Sequence, residues 1–249
     1  RVLIAESSAS PNGTMFVLEK NGYLPIEQQY NAKLIDLNQG TWTQEWILDS
    51  QFKPLDIKII SAFLDPDNFI ISLARMKTHN CVVATLAIKN IMMATPINVA
   101  EGHPDYVSNQ YEKQKMHRSP SGDMGTYQEI NYNIYLMTHK AGPEFSVIDG
   151  VVGMEGNGPN DGTTVEHGIA LASFDPVAVD RVGIELMGIN YDDVGYLQWC
   201  AQAGLGQGDR NRIKIVGPDP APHVRKYRLH DNIKRQLTWK ESPRVQASR

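Results

Sequence analysis

The sequence predicts an α/β protein, a mainly parallel or mixed sheet flanked by helices, with a polar excursion and a C-terminal extension. Three observations predict it. Short apolar, β-branched runs recur at 2–5, 33–37, 57–60, 69–77, 145–148 and 167–172, each of strand length. Helical patterns alternate with several of them, which is the mark of an α/β sheet. Acidic residues and glycines crowd directly after one run, from Asp149 to Asp161, and the carboxyl ends of strands are where open α/β sheets hold ligands.

Taken in order, residues 2–5 read as a buried strand and 7–13 as a polar turn. Thr14 can cap a helix over 15–21 that Gly22 ends. Residues 33–37 (KLIDL) form a strand with an acid near its end, 57–60 a short strand, and 69–77 (FIISLARMK) a longer one. The stretch 82–93 (VVATLAIKNIMM) is apolar nearly all round and reads as a buried helix. Residues 98–125 are polar, with His103, His117 and a Ser/Pro/Gly run, and suggest a lid or an oligomer contact. An amphipathic helix is expected over 127–140, then the strand at 145–148, a glycine-rich loop, and a strand at 167–172. Helices follow over 176–187 and 193–203, and a last short strand over 214–216. Residues 1–217 are expected to form one α/β domain. It is expected to be incomplete at its N-terminus, because Arg1 already opens a strand. Residues 218–249, Pro-rich and then basic, are expected to be an extension lying on the surface or on a neighbouring subunit.

Composition narrows the function classes. Of 249 residues, 41% are hydrophobic and 21% charged, ordinary proportions for a globular domain. A net charge of −4 argues against a general nucleic-acid binder. No apolar run approaches the roughly 20 residues of a transmembrane helix. Two cysteines, Cys81 and Cys200, with no C-x-x-C, make an iron–sulfur cluster within this chain an unlooked-for feature. They are expected to be reduced, buried thiols. Cytoplasmic and exported locations both stay open.

Chemistry is expected from a few polar groups in otherwise apolar elements. Arg75, Lys77 and His79 are spaced at two and share one strand face, which suits a phosphate or carboxylate ligand or, alternatively, a solvated edge. Lys89, with Asn90 beside it, stands in the apolar 82–93 stretch and calls for a partner or a snorkelling path. Asp149 can bind a metal, accept a hydroxyl or act as a base, or simply form an Asp-Gly turn. Glu155, Gly156, Asn157 and Gly158 follow in a loop whose glycines allow close backbone approach to a ligand. The loop is neither a Walker motif nor G-x-G-x-x-G. Asp175-Pro176 reads as a helix cap, whereas Asp180 falls on an apolar helix face and needs a partner, Lys89 or a metal being the candidates.

Taken together, Met76-Lys77-Thr78-His79, TLAIKN at 85–90, Asp149-Gly150 with MEGNGP at 154–159, Gly162, SFDPVAVD at 173–180 and Met187-Gly188 resemble the domain of unknown function 362 family. The resemblance covers about residues 2–217. After Lys89-Asn90 the family usually continues into glycine and a small residue, where this chain has Ile91-Met92-Met93-Ala94. The resemblance implies a further N-terminal α/β segment and, in some members, fused ferredoxin-like modules or export signals. It implies a fold and a site but no reaction.

The leading expectation is an enzyme for a small anionic molecule, assisted by a divalent metal. Lys77, His79 and Lys89 would hold the anion. Asp149, Glu155 and Asp180 would bind the metal or, with Lys89, move protons. Asn90, Gly156, Asn157 and Gly158 would orient the substrate. The alternatives are a non-catalytic partner of iron–sulfur proteins and a structural protein, the latter a homo-oligomer assembled through 98–125 and the basic tail.

Overall fold

The structure is a computed structural model and describes residues 1–10, 12–98, 111–117 and 127–241. Strands β1 (Val2–Glu6) and β2 (Ala32–Asp36) pair in parallel, joined through α1 (Thr14–Lys20) and α2 (Ile26–Tyr30). Next come β3 (Trp42–Leu48) and β4 (Pro54–Ile60), an antiparallel pair. The main sheet holds β5 (Ile71–Thr78), β6 (Ala84–Thr85), β7 (Phe145–Asn157) and β8 (Asp161–Ser173) in the order β6-β5-β7-β8. Only its β5–β7 pairing is parallel, so the sheet is mixed.

Helices α3 (Ala87–Ala94), α4 (Tyr111–His117), α5 (Gln128–Ala141), α6 (Pro176–Leu186), α7 (Gly195–Gln202) and α8 (Ile233–Gln236) complete the fold. Along β5, Ser72, Ala74, Met76 and Thr78 turn inward, while Ile71, Leu73 and Arg75 stay exposed. The inward face packs against α3 and α6, and α5 and α7 close the layer behind them. Ile88, Met92, Ile134, Met137, Val177, Ile184 and Leu197 are buried there. Gly183 lets α6 approach closely, since a Cβ there would stand 3.0 Å from Leu86 and 3.3 Å from Ile148.

The glycine-rich segment is a correction. It is not a long loop after a strand ending at 148. Strand β7 runs on to Asn157 and β8 starts at Asp161, so the connection is only residues 158–160. Gly150 and Gly153 serve packing within β7, while Gly156 holds a φ of +76°. A side chain at Gly153 would strike the Tyr227 hydroxyl, and one at Gly150 would meet Ile169 at 2.8 Å. Asp149 therefore sits in mid-strand, level with Arg75 and Ala170, just before a bulge in the β7–β8 pairing.

Four further expectations change. The apolar stretch at 82–93 is helical only from Ala87, because its first residues form β6 and Val83 holds a φ of +69°. Thr14 lies inside α1 and accepts a hydrogen bond from the Ser8 N–H, and Gly13 precedes it as the cap residue. Residues 214–216 form no strand, and Val216 is exposed. β3 had no sequence expectation at all. Of the excursion 98–125, Asn98 and α4 are described, and His103 lies outside the described residues. The C-terminal extension is present and helical, carrying α8, but it does not lie only on the surface. Tyr227, Gln236 and Trp239 are buried against the body of this same chain.

Candidate functional site

The carboxyl ends of β1, β2 and β5 deliver Glu6, Asp36 and Lys77 with the following His79. The first turn of α3 adds Lys89, and α4 adds Lys113 and His117. Four groups of this set, His79, Lys89, Lys113 and Lys77, carry depressed pKa values for a shared reason. Burial leads in each case, and neighbouring cations add to it.

Lys89 is buried, with 5% of its surface exposed, and its ammonium makes no hydrogen bond or ion pair with any described residue. Burial lowers its pKa to about 7. Cys81 opposes the shift and Lys77 adds to it. Lys113 is held down to about 7 by burial, against the pull of Glu6 and Asp36 and with a push from Lys89. Its Nζ donates to the Met93 carbonyl at 2.9 Å. Lys77 is lowered by burial and by Arg75, with Glu6 opposing.

His79 lies well below the usual histidine range, through burial first and then Lys89, His117, Lys77 and His230. Its Nδ1 accepts the Cys81 N–H at 3.0 Å. That bond fixes the neutral ring with its proton on Nε2. The ring of His117 stacks on it with centroids 6.1 Å apart.

The His79 loop is set from the tail. The fully buried Gln236 donates to the His79 carbonyl at 2.9 Å and accepts the Val83 N–H at 2.7 Å. Asn232 donates to the Asn80 carbonyl at 2.9 Å. Replacing Gln236 by leucine leaves a buried donor and a buried acceptor unpaired, so a loss of about 2 kcal/mol in urea unfolding is expected. An unchanged midpoint would show that the tail does not hold this loop.

Beside Asn80 opens a polar cleft of about 580 Å³, lined among others by Asn157, Gly158, Asp161, His230 and Asp231. Of the residues expected to bind substrate, Lys77 and His79 join Lys89, and Asn157 and Gly158 line this adjoining cleft. Asn157 and Asp231 bind one another through both side chain and backbone at 2.8 and 3.1 Å. Gly156 accepts the Thr78 hydroxyl through its carbonyl at 2.9 Å, tying the hairpin to the end of β5. Asn90 turns away, its Nδ2 donating to Ser72 Oγ at 3.3 Å.

The three carboxylates expected to share a metal do not converge. Glu155 accepts the Arg228 N–H at 2.9 Å and faces the tail. Asp149 accepts the Val151 N–H at 2.9 Å on β7. Asp180 accepts from the N–H groups of Ala87 and Ile88 at 2.8 and 3.1 Å, so its partner is the start of α3 rather than Lys89. Among the described residues no three His, Cys, Asp or Glu side chains gather as a metal-binding group. Cys81 and Cys200 are buried thiols that form no disulfide. Among the described residues, no helix is long and apolar enough to cross a membrane.

Lys113, Glu6, Asp36 and His230 were not among the expected site residues, because they reach the site from four separate segments, α4, β1, β2 and the tail. The match to the family described as Domain of unknown function (DUF362) spans residues 1–185. The chain belongs to that family. The DUF362 match takes in Lys77, His79, Lys89, Lys113 and His117 and stops at the end of α6, short of the tail that holds the His79 loop. A Synechocystis sp. protein named as thylakoid-associated is 27% identical over 191 residues, 76% of this chain and 52% of that protein. This chain thus spans about half the length of that relative. No solved structure matches it.

Proposed function

We propose that this DUF362 protein binds a small anionic substrate among Lys77, His79, Lys89 and Lys113 and acts on it as an enzyme. The observation that carries the reading is Lys89, a buried amine without a carboxylate partner among the described residues, with other cationic groups around it. Such a group raises the energy of the empty protein, and an anion offsets that cost. Lys89, with a pKa of about 7, holds both protonated and free-base forms near neutrality. That suits an amine that takes a proton from a bound substrate or returns one to it. The Nε2–H of neutral His79 is a donor for a substrate oxygen. Glu6 and Asp36 bound the site on its β1–β2 side and select against bulkier anions by repulsion. The carboxylates Asp149, Glu155 and Asp180 have no part in this reading.

Titration calorimetry with inorganic phosphate and with pyrophosphate tests it. At pH 8 an anion raises the pKa of Lys89 and Lys113, so binding takes up about one proton. Two buffers of different ionisation enthalpy measure that uptake. Absence of heat with either anion, or binding without proton uptake, overturns the reading.

A further inference from the structure

The outer face of the main sheet leaves apolar side chains exposed along β5 and its margins. Strands β5 and β7 form the parallel pair of this mixed sheet, and contiguous exposed apolar surface marks an interaction site. Here Ile71 and Leu73 are 55% and 68% exposed, and Phe69 and Phe174 at the margins 60% and 76%. The pairing places Ile71 beside Phe145 and Leu73 beside Val147, with Ala172 next to Val147 on β8. Phe174 rests on Phe145 with ring centroids 4.8 Å apart. The result is a continuous apolar surface on strands whose inner faces are core.

The charges on this stretch identify the occupant. From Ile71↔Phe145 to Arg75↔Asp149 the outward residues carry one cation and one anion, and these lie side by side at the same level. Asp149 is half-buried and uses Oδ1 for the Val151 N–H. A two-fold axis running along the strands, between β5 and β7, exchanges the two positions. Arg75 of one copy then stands opposite Asp149 of the other, and Asp149 opposite Arg75. Ile71 and Leu73 meet Phe145 and Val147 between them. Two sheets packed face to face lie about 10 Å apart, a gap that an arginine and an aspartate bridge together. A self-complementary patch with two reciprocal ion pairs is what an isologous interface requires.

We propose that a second copy of this chain packs on the face of Ile71, Leu73, Phe145 and Val147, with Arg75 and Asp149 paired reciprocally across the two-fold axis. The register shift after Arg75 separates this face from Lys77 and the anion site. The Arg75 charge does reach Lys77, so the dimer is read by sedimentation, which does not depend on anion binding.

Sedimentation velocity of the whole chain from about 1 to 100 μM tests the proposal, with charge reversals made singly and together. A dimer is expected for the natural sequence. Arg75→Asp and Asp149→Arg each place like charges face to face and are expected to raise the dimer dissociation constant at least ~10-fold. The double variant Arg75→Asp/Asp149→Arg restores both pairs and is expected to return to within ~3-fold of the natural value. Leu73→Ser supplies a variant that weakens the dimer without altering charge, and circular dichroism confirms that each variant is folded. A monomer at every concentration overturns the proposal. So does a dimer indifferent to the single reversals, a double variant that stays monomeric, or native mass spectrometry showing a different protein on this face.

Discussion

Replacing Asp180 by alanine is expected to destabilise the protein by about 3 kcal/mol, measured by urea unfolding at pH 6. The carboxyl group is fully buried in the middle of α6, yet it caps another helix, accepting the Ala87 and Ile88 N–H groups at the start of α3. Alanine leaves two helix-terminal donors without a partner in the core, and each costs roughly 1–3 kcal/mol. Asparagine keeps one acceptor and is expected to cost about half as much. The pH dependence has a definite sign. Burial raises the pKa of Asp180 to about 7, with the two N–H bonds opposing the rise. Its folded pKa therefore lies above its ordinary 3.8, and the folded state holds the proton more tightly. The stability from this group is complete below pH 3.8 and is lost as pH rises towards 7. Asp180→Asn is expected to abolish that decline. A curve of unchanged slope in the variant would remove Asp180 as its source.

Lys89→Met is expected to separate binding from stability. Methionine fills the same space without a charge, so the ligand-free protein is expected to gain about 1–2 kcal/mol, while affinity for phosphate or pyrophosphate falls about 100-fold. A residue serving only the fold would show a loss of stability and no change in affinity. Here too the sign is fixed. The folded pKa of about 7 lies below the ordinary 10.5, so the folded state releases the proton more readily. The stability tied to the neutral amine is present above pH 10.5 and is lost as pH falls through 7. The advantage of methionine is therefore largest below pH 7 and shrinks towards pH 10.5. Thermal unfolding at pH 6, 8 and 10 measures it, and an advantage that grows with pH would refute the assignment.

Particular residues show how far the sequence could be read. The cap at Asp175-Pro176 was legible, and the Asp175 carboxylate accepts the Ala178 N–H at 2.8 Å, because capping is local chemistry between neighbours three apart. Lys77, His79 and Lys89 were legible because a cation in an apolar element stands out against its surroundings. The segment 149–161 was misread because glycine has two uses that look alike in a sequence. A glycine can free the backbone for a loop, or it can clear room for another chain segment. At Gly153 the second holds, and the segment that needs the room is Tyr227, 74 residues on. The partner of Asp180 was missed because backbone N–H groups are present at every residue and carry no sequence signature. Lys113 was missed because nothing near it in the chain marks it as a future neighbour of Lys89.

The sequence by itself determined the α/β class, the family and which cations stand in apolar surroundings. Each of these depends on local periodicity or on ordered short motifs. Tertiary structure alone decided that the expected carboxylates stay apart, that the tail grips the His79 loop through Gln236, and that one apolar sheet face is left bare. These follow from which distant segments exclude water from one another, and burial of that kind is set by the packing of the whole chain.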